Sequence, residues 1–161
     1  MRISSPPIFT ADEAAAWSRS LRDRGKRVVF TNGVFDLVHP GHVQYLRDAR
    51  ALGDALIVAL NSDRSVRSNK GPERPVNPER ERAEVLAAFD FVDAVVIFDE
   101  ETPHEIVSRI VPNVLVKGAD WGENHIVGRD VVEASGGCVV RMELMPGFST
   151  TGIIEKIKAV K

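Results

Sequence analysis

The chain has 161 residues, and its 21 basic and 23 acidic side chains leave a net charge of −2, so no overall field draws it onto nucleic acid or an anionic membrane. No apolar run approaches the roughly 20 residues of a membrane helix. Residues 1–7 lack the apolar core of a secretory signal, and the expectation is a cytoplasmic protein with no membrane or nucleic-acid partner. A lone cysteine, Cys138, excludes an internal disulfide; its apolar surroundings predict a small buried side chain rather than a catalytic thiol.

Thr10-Ala11-Asp12-Glu13 is a capping box that opens a helix ending near Gly25. Residues 28–31 read as a first strand, and residues 41–52 as the following helix, closed by Gly53. The continuous apolar run 55–60 has the pattern of a strand covered on both faces. Residues 61–77 are polar and predict a mobile loop. A helix starts at Asn77-Pro78 and runs to about Phe89, with proline at its first position. Residues 92–98 are a third strand, and Thr102-Pro103-His104-Glu105 starts another helix. A fourth strand at 114–116, helix at 127–134, a fifth strand at 138–142 and a terminal helix at 149–160 complete the chain. Strands alternating with helices predict an α/β doubly wound parallel sheet of about five strands, with helices on both faces. The whole of 1–161 is expected to be a single domain, with residues 1–25 as an N-terminal helical extension.

In such sheets ligands bind beyond the carboxyl ends of the strands, where strand order reverses. The turn after the first strand, Thr31-Asn32-Gly33-Val34-Phe35-Asp36-Leu37-Val38-His39-Pro40-Gly41-His42, is built for phosphate. Free N–H groups at a helix start attract anions. Pro40 leaves no N–H unpaired at the first helical position. Gly41 lets an anion approach the backbone, and His39 and His42, three apart, can face the same way. Asn61-Ser62-Asp63 and Lys117-Gly118-Ala119-Asp120 also follow strands and should reach the same crevice. Neither G-x-x-x-x-G-K-[ST] nor G-x-G-x-x-G follows the first strand.

Gly33 to His42 reads G-x-F-D-x-x-H-x-G-H and closely resembles the signature of the cytidylyltransferase-like nucleotidyltransferases. Arg74-Pro75-Val76-Asn77-Pro78 with Arg82, Leu115-Val116-Lys117-Gly118-Ala119-Asp120-Trp121, and Ser149-Thr150-Thr151 with Ile153-Ile154 resemble the D-glycero-β-D-manno-heptose 1-phosphate adenylyltransferases of ADP-heptose synthesis. The resemblance runs over roughly residues 26–158. In many bacteria this activity is the second domain of a bifunctional kinase–adenylyltransferase, and the expectation here is the free-standing form. The resemblance implies a Rossmann-like nucleotidyltransferase fold. It also implies joining of ATP to the heptose 1-phosphate, giving ADP-heptose and pyrophosphate for the lipopolysaccharide inner core.

By the same resemblance, His39 and His42 bind the triphosphate and stabilise charge at the α-phosphate, and Lys70 and Arg82 contact phosphates. Asn32, Gly33, Val34, Phe35 and Gly41 form the nucleotide turn, with Phe35 also anchoring it in the core and Asp36 orienting the loop or a histidine. The basic residues between Arg64 and Arg82 could close over the phosphates, and Arg74 is instead a candidate for the sugar phosphate. Lys117, Gly118, Asp120 and Trp121 wall the nucleotide, and Ser149, Thr150 and Thr151 both cap the last helix and receive the β- and γ-phosphates. Magnesium is expected with the triphosphate, without a dedicated protein metal site, and zinc is not expected. His104 and His125 are expected at the surface. Relatives are commonly homo-oligomeric, and Ile153, Ile154 and Ile157 could serve an interface or the core. The nearest rival is a glycerol-3-phosphate-type cytidylyltransferase. Its arginine before the Ser-Thr-Thr turn is missing from Leu144-Met145-Pro146-Gly147-Phe148-Ser149-Thr150-Thr151. A rival of another class is a nucleotide sensor without turnover.

Overall fold

The computed structural model describes residues 6–160. The reading of residues 1–5 as free of a secretory core lies outside them. Six strands form one parallel sheet in the order β1-β4-β3-β2-β5-β6: β1 (Ile8–Phe9), β2 (Val28–Gly33), β3 (Ala55–Asn61), β4 (Ala94–Phe98), β5 (Val114–Gly118) and β6 (Cys138–Met142). Seven α-helices are described: α1 (Ala11–Asp23), α2 (Pro40–Arg50), α3 (Asp63–Lys70), α4 (Glu79–Ala87), α5 (His104–Ile110), α6 (Arg129–Ala134) and α7 (Thr150–Ala159).

The sheet is doubly wound because alternate residues of its central strands point to opposite faces. Val28, Phe30, Ile57 and Ala59 pack with Ala14 of α1, Ile106 and Ile110 of α5, and Val132 of α6. Val29, Leu56, Val58 and Leu60 pack with Leu46 and Ala49 of α2 and Leu86 of α4. Every residue of β3 is buried, so the unbroken apolar run 55–60 is a strand sandwiched between two helix layers.

Several expectations change. The sheet has six strands rather than about five, because Ile8 and Phe9 pair with Val95 and Val96 at its edge. Two residues are too few to show a strand period. The N-terminal segment is accordingly part of the sheet and its helix layer, with α1 opened by the reciprocal Thr10–Glu13 capping box.

The polar stretch 61–77, expected as a mobile loop, contains α3. Ser62 caps it by accepting from Ser65 N–H at 3.1 Å, and only Ser65 and Val66 are buried, so no apolar stripe announces it. Pro78 and Pro103 are the N-caps of α4 and α5 rather than their first helical residues. Cys138, expected to be buried, is exposed, because it opens the edge strand β6.

Ile57 is fully buried at the centre of the sheet. Ile57→Ala is expected to destabilise the fold by about 2–5 kcal/mol, read as a lower denaturation midpoint at unchanged slope.

Candidate functional site

β2 has β3 on one side and β5 on the other, so strand order reverses at its carboxyl end. A cavity of about 710 Å³ opens there. Its floor is Asn32, Gly33, Val34, Phe35 and Asp36 from the turn after β2, with His39, Gly41 and His42 from the start of α2. On the β3–β4 side stand Asn61, Asn69, Lys70, Arg74, Glu101 and Pro103. On the β5–β6 side stand Lys117, Gly118, Asp120, Trp121, Leu144, Met145 and Phe148, with Ser149, Thr150 and Thr151 at the start of α7. The expected histidine-turn contacts line this cavity, as do Lys70, Lys117, Gly118, Asp120, Trp121, Ser149, Thr150 and Thr151. Arg82 does not, nor do Ala119, Ser62 and Asp63, the last two lining a separate groove with Arg64, Arg67 and Arg80.

The turn is tightly built. Phe35 adopts a left-handed backbone (φ +47°) while 94% buried, a conformation costing of order 1–3 kcal/mol that its packing maintains. A Cβ at Gly33 would lie 2.9 Å from the Phe35 ring, and one at Gly41 would lie 3.0 Å from the His39 ring. Both positions therefore need glycine for close approach.

His39 is the N-cap of α2, and its Nδ1 accepts from His42 N–H at 3.4 Å. In the neutral ring the proton then sits on Nε2, as a donor. The two imidazoles stack with centroids 3.8 Å apart and planes at 19°. Phe35 meets His42 edge-on at 5.1 Å, and Phe148 stacks beyond His39 at 6.0 Å. Burial lowers the His39 pKa. Burial, aided by repulsion from His39, pushes His42 down to about 4. His42 Nδ1 is buried with no hydrogen-bond partner among the described residues. When protonated it would donate to an acceptor such as a phosphate oxygen.

The basic residues of 64–82 disperse. Arg64 pairs with Asp99 on the outer face, where Arg67 and Arg80 also line an open groove. Arg82, expected to contact phosphate, is 99% buried and outside the cavity. It donates to Val34 O (2.8 Å), Asn77 O (2.9 Å) and Asp63 Oδ1 (2.8 Å). Its guanidinium is spent on joining the turn after β2 to the segment before α4. Asp36 makes the companion joint. Its buried carboxylate accepts from Arg74 Nε (2.8 Å), Val76 N–H and Asn77 N–H, each at 2.9 Å. Burial alone would raise its pKa, but the two backbone donors and Arg74 together hold it below the usual carboxylate range. Of the basic residues in this region, Lys70 and Arg74 line the cavity.

Lys117, at the end of β5, is 93% buried. Its Nζ donates to Asn32 Oδ1 and lies 5.5 Å from the centre of the Trp121 ring. Burial, partly opposed by Asp120, lowers its pKa to about 8. Ser149 Oγ caps α7 by accepting from Gly152 N–H at 2.9 Å, and Thr150 Oγ1 donates to Leu37 O at 3.1 Å, tying α7 to the phosphate turn.

A strand, a glycine turn and a helix start bearing paired histidines are thus assembled at the reversal point of the sheet. The family profile described as cytidylyltransferase-like matches residues 30–156. The chain belongs to the cytidylyltransferase-like family. It is a nucleotidyltransferase. It is 54% identical over 155 residues to Bifunctional protein HldE of Geotalea uraniireducens, covering 96% of this chain and 32% of that protein. With the protein of the same name from Bradyrhizobium diazoefficiens it shares 54% identity over 157 residues, 98% of this chain and 31% of the other. The chain therefore spans about a third of the length of these curated relatives. Among solved structures it resembles a lipopolysaccharide core biosynthesis protein from Thermoplasma volcanium (TM-score 0.62, 26% identity, covering 75% of this chain and 98% of that one). It also shares the fold of pantoate-beta-alanine ligase from Francisella tularensis (TM-score 0.63, 14% identity, 96% and 77% covered).

In this cytidylyltransferase-like domain the sequence reading left several lining residues outside its candidate set. Asn61 ends the buried run of β3 and was visible as a polar residue delivered to the crevice. Glu101 comes from the β4–α5 loop, and Leu144, Met145 and Phe148 from the segment before α7. These last carried no signal beyond being apolar in an irregular stretch. His104, exposed and 3.3 Å from Asp130, and the exposed His125 lie outside the cavity, as expected of surface residues.

Two pH dependences follow. The unfolded chain protonates His42 near 6.5 and the folded chain near 4, so between these values the unfolded state binds more protons. Stability should fall as pH drops from about 6.5 towards 4, and His42→Gln should flatten part of that slope in denaturant titrations. Lys117 loses its charge near pH 8, so affinity for a nucleoside triphosphate should decline as pH rises through that value. Lys117→Met should bind more weakly and lose this dependence, as measured by calorimetry.

Proposed function

We propose that this chain is the adenylyltransferase that joins ATP and D-glycero-β-D-manno-heptose 1-phosphate into ADP-heptose and pyrophosphate, for the lipopolysaccharide inner core. The observation that carries the reading is the stacked His39–His42 pair at the N-terminus of α2. It sits in a cavity with an aromatic half and a cationic, polar half. Support for the acceptor comes from the 54% identity to the HldE proteins over nearly the whole chain. The Thermoplasma protein, named for lipopolysaccharide core biosynthesis, is consistent with a role in making the lipopolysaccharide core.

The step is an in-line displacement: a phosphate oxygen of the sugar phosphate bonds to the α-phosphorus of ATP as the bond from that phosphorus to the β-phosphate bridging oxygen breaks. Pyrophosphate leaves. The attacking oxygen is already ionised at neutral pH, so no general base is needed, and the protein contributes position and charge stabilisation. The Gly41 N–H at the start of α2 and the two imidazoles face the transferred phosphate; the His42 and Val43 N–H groups are already bonded to His39. Protonation of His42, opposed by burial and by repulsion from His39, becomes more favourable beside an anion. Ser149, Thr150 and Thr151 at the start of α7 receive the outer phosphates. Lys70, from the end of α3, adds a positive charge from the other side. Trp121, Leu144, Met145 and Phe148 offer flat and apolar surface to adenine, with Lys117 and Asp120 at its edge. Arg82 acts at one remove, by holding the turn that carries Val34.

Magnesium fits as a companion of the triphosphate. Among the described residues no three His, Cys, Asp or Glu side chains come together as a metal cage, and Asp36 is committed to Arg74 and two N–H groups. That donor set suits a cation held largely by phosphate oxygens and water, neutralising charge on the leaving pyrophosphate. The reading includes one nucleotidyltransferase domain, a cytoplasmic location and a homo-oligomer. Among the described residues no helix is long and apolar enough to cross a membrane, and Ile157 on α7 is 63% exposed.

Pyrophosphate release with magnesium, pairing ATP or CTP with β-heptose 1-phosphate or glycerol 3-phosphate, tests the reading. Turnover is expected with ATP and the heptose phosphate only. His42→Asn should lower kcat by two or more orders of magnitude with little change in ATP affinity. Turnover with CTP and glycerol phosphate would transfer the assignment to the cytidylyltransferases, and nucleotide binding without turnover in any pairing would make it a sensor.

A further inference from the structure

The two halves of the cavity differ in chemistry. The β5–β6 half presents Trp121, Leu144, Met145 and Phe148, all more than a third exposed to the cavity mouth. The β3–β4 half presents amide, carboxylate and cationic groups, with Pro103 its one apolar side chain. Flat aromatic surface suits a base, whereas a half without it suits a polyhydroxylated, charged molecule.

Two residues in the polar half are held in place with binding groups left free. Asn61 is 92% buried at the end of β3, and its Nδ2 donates to Ser65 Oγ at 3.1 Å. The Ser65 hydroxyl donates in turn to Ser62 O at 3.3 Å, so it can only accept from Asn61. This orders the amide and leaves its Oδ1 as an acceptor that no described residue uses. Arg74 is oriented by its Nε donation to Asp36 at 2.8 Å, with its side chain 84% buried. Its two Nη groups have no partner among the described residues, and the residue lines the cavity. A fixed acceptor and a fixed guanidinium on one wall are complementary to a molecule that carries a hydroxyl and a phosphate.

The geometry points to the β3–β4 half as the acceptor subsite, in which Arg74 holds the acceptor's phosphate and Asn61 accepts a hydrogen bond from a sugar hydroxyl. The inference rests on the proposed adenylyl transfer for the choice of a sugar phosphate as the occupant. Asp36 is a positioning residue for Arg74, fixing the plane of the guanidinium. Selection between a sugar phosphate and a phosphate monoester without a hydroxyl falls to Asn61, since both ligands satisfy Arg74 and only the sugar can donate to the free amide oxygen. A site built to hydrogen-bond a hydroxyl discriminates against a ligand that lacks it.

Calorimetric binding of three probes tests this: β-heptose 1-phosphate, methyl phosphate and a non-hydrolysable ATP analogue, each with the wild type, Asn61→Ser, Arg74→Gln and Arg74→Lys. Asn61→Ser should weaken the heptose phosphate by roughly tenfold and leave methyl phosphate, which has no hydroxyl, within about twofold. Arg74→Gln should weaken both phosphate probes by roughly tenfold or more, with partial recovery in Arg74→Lys, which keeps a charge beside Asp36. The ATP analogue should stay within about twofold throughout, a pattern that general loosening of the site would not produce. Variants that bind heptose phosphate as the wild type does, or that lose the ATP analogue equally, overturn the subsite. If the wild type binds heptose phosphate but releases no pyrophosphate from ATP, the adenylyl-transfer reading fails and the subsite stands. If it turns over while the variants keep the wild-type KM for the acceptor, the reading stands and the subsite falls. A wild type that binds no heptose phosphate overturns both.

Discussion

The carboxylate of Asp36 is the joint on which the site depends. It is wholly buried and accepts hydrogen bonds from the backbone at Val76 and Asn77 and from the Arg74 guanidinium. Asn77 returns the contact by donating to Asp36 O at 2.9 Å, and Arg82 adds a second tie between Val34 and Asn77. A buried charge is tolerable only when its lone pairs are occupied in this way, and removing one partner leaves the others uncompensated. The turn after β2 and the segment before α4 are therefore locked as one unit. That unit carries both the strained Phe35 that shapes the histidine turn and the Arg74 that faces the other wall.

The sheet supplies the rest of the geometry. Parallel strands deliver their following loops to one edge, and the reversal of order at β2 opens a crevice between the loops of β3 and β5. Lys117 ties the end of β5 to the end of β2 through Asn32, with its ammonium over the Trp121 ring. Burial lowers the pKa of both histidines, His42 to about 4, and it brings Lys117 down to about 8. The site is thus poised so that an anion, on arriving, strengthens each positive partner it meets.

Much of this was legible in the chain. The β3 run 55–60 announced a strand buried on both faces, and Pro40 after His39 announced a helix start at the phosphate turn. The glycines at 33 and 41 could be read as points of close approach. Other elements had no local signature. α3 buries just two of its residues, β1 is two residues long, and Cys138 lies in an apolar stretch yet opens an exposed edge strand. Each of these is decided by what packs beside it. Arg82 is the instructive case: beside a phosphate turn a basic residue reads as a ligand, but its guanidinium is consumed by two carbonyls and Asp63.

The order and type of most elements, and the histidine turn itself, were set by the sequence, because apolar periodicity, capping residues and glycine or proline positions act over a few neighbours. The tertiary structure decided which polar side chains keep a free group inside the cavity and which spend theirs on holding it together. Arg74 and Arg82 are the same residue type, eight positions apart, and Asn61 and Asn77 are the same amide. One of each pair closes the scaffold and the other is left facing the cavity. Hydrogen-bond partners far away in the chain make that choice, and no local pattern encodes them.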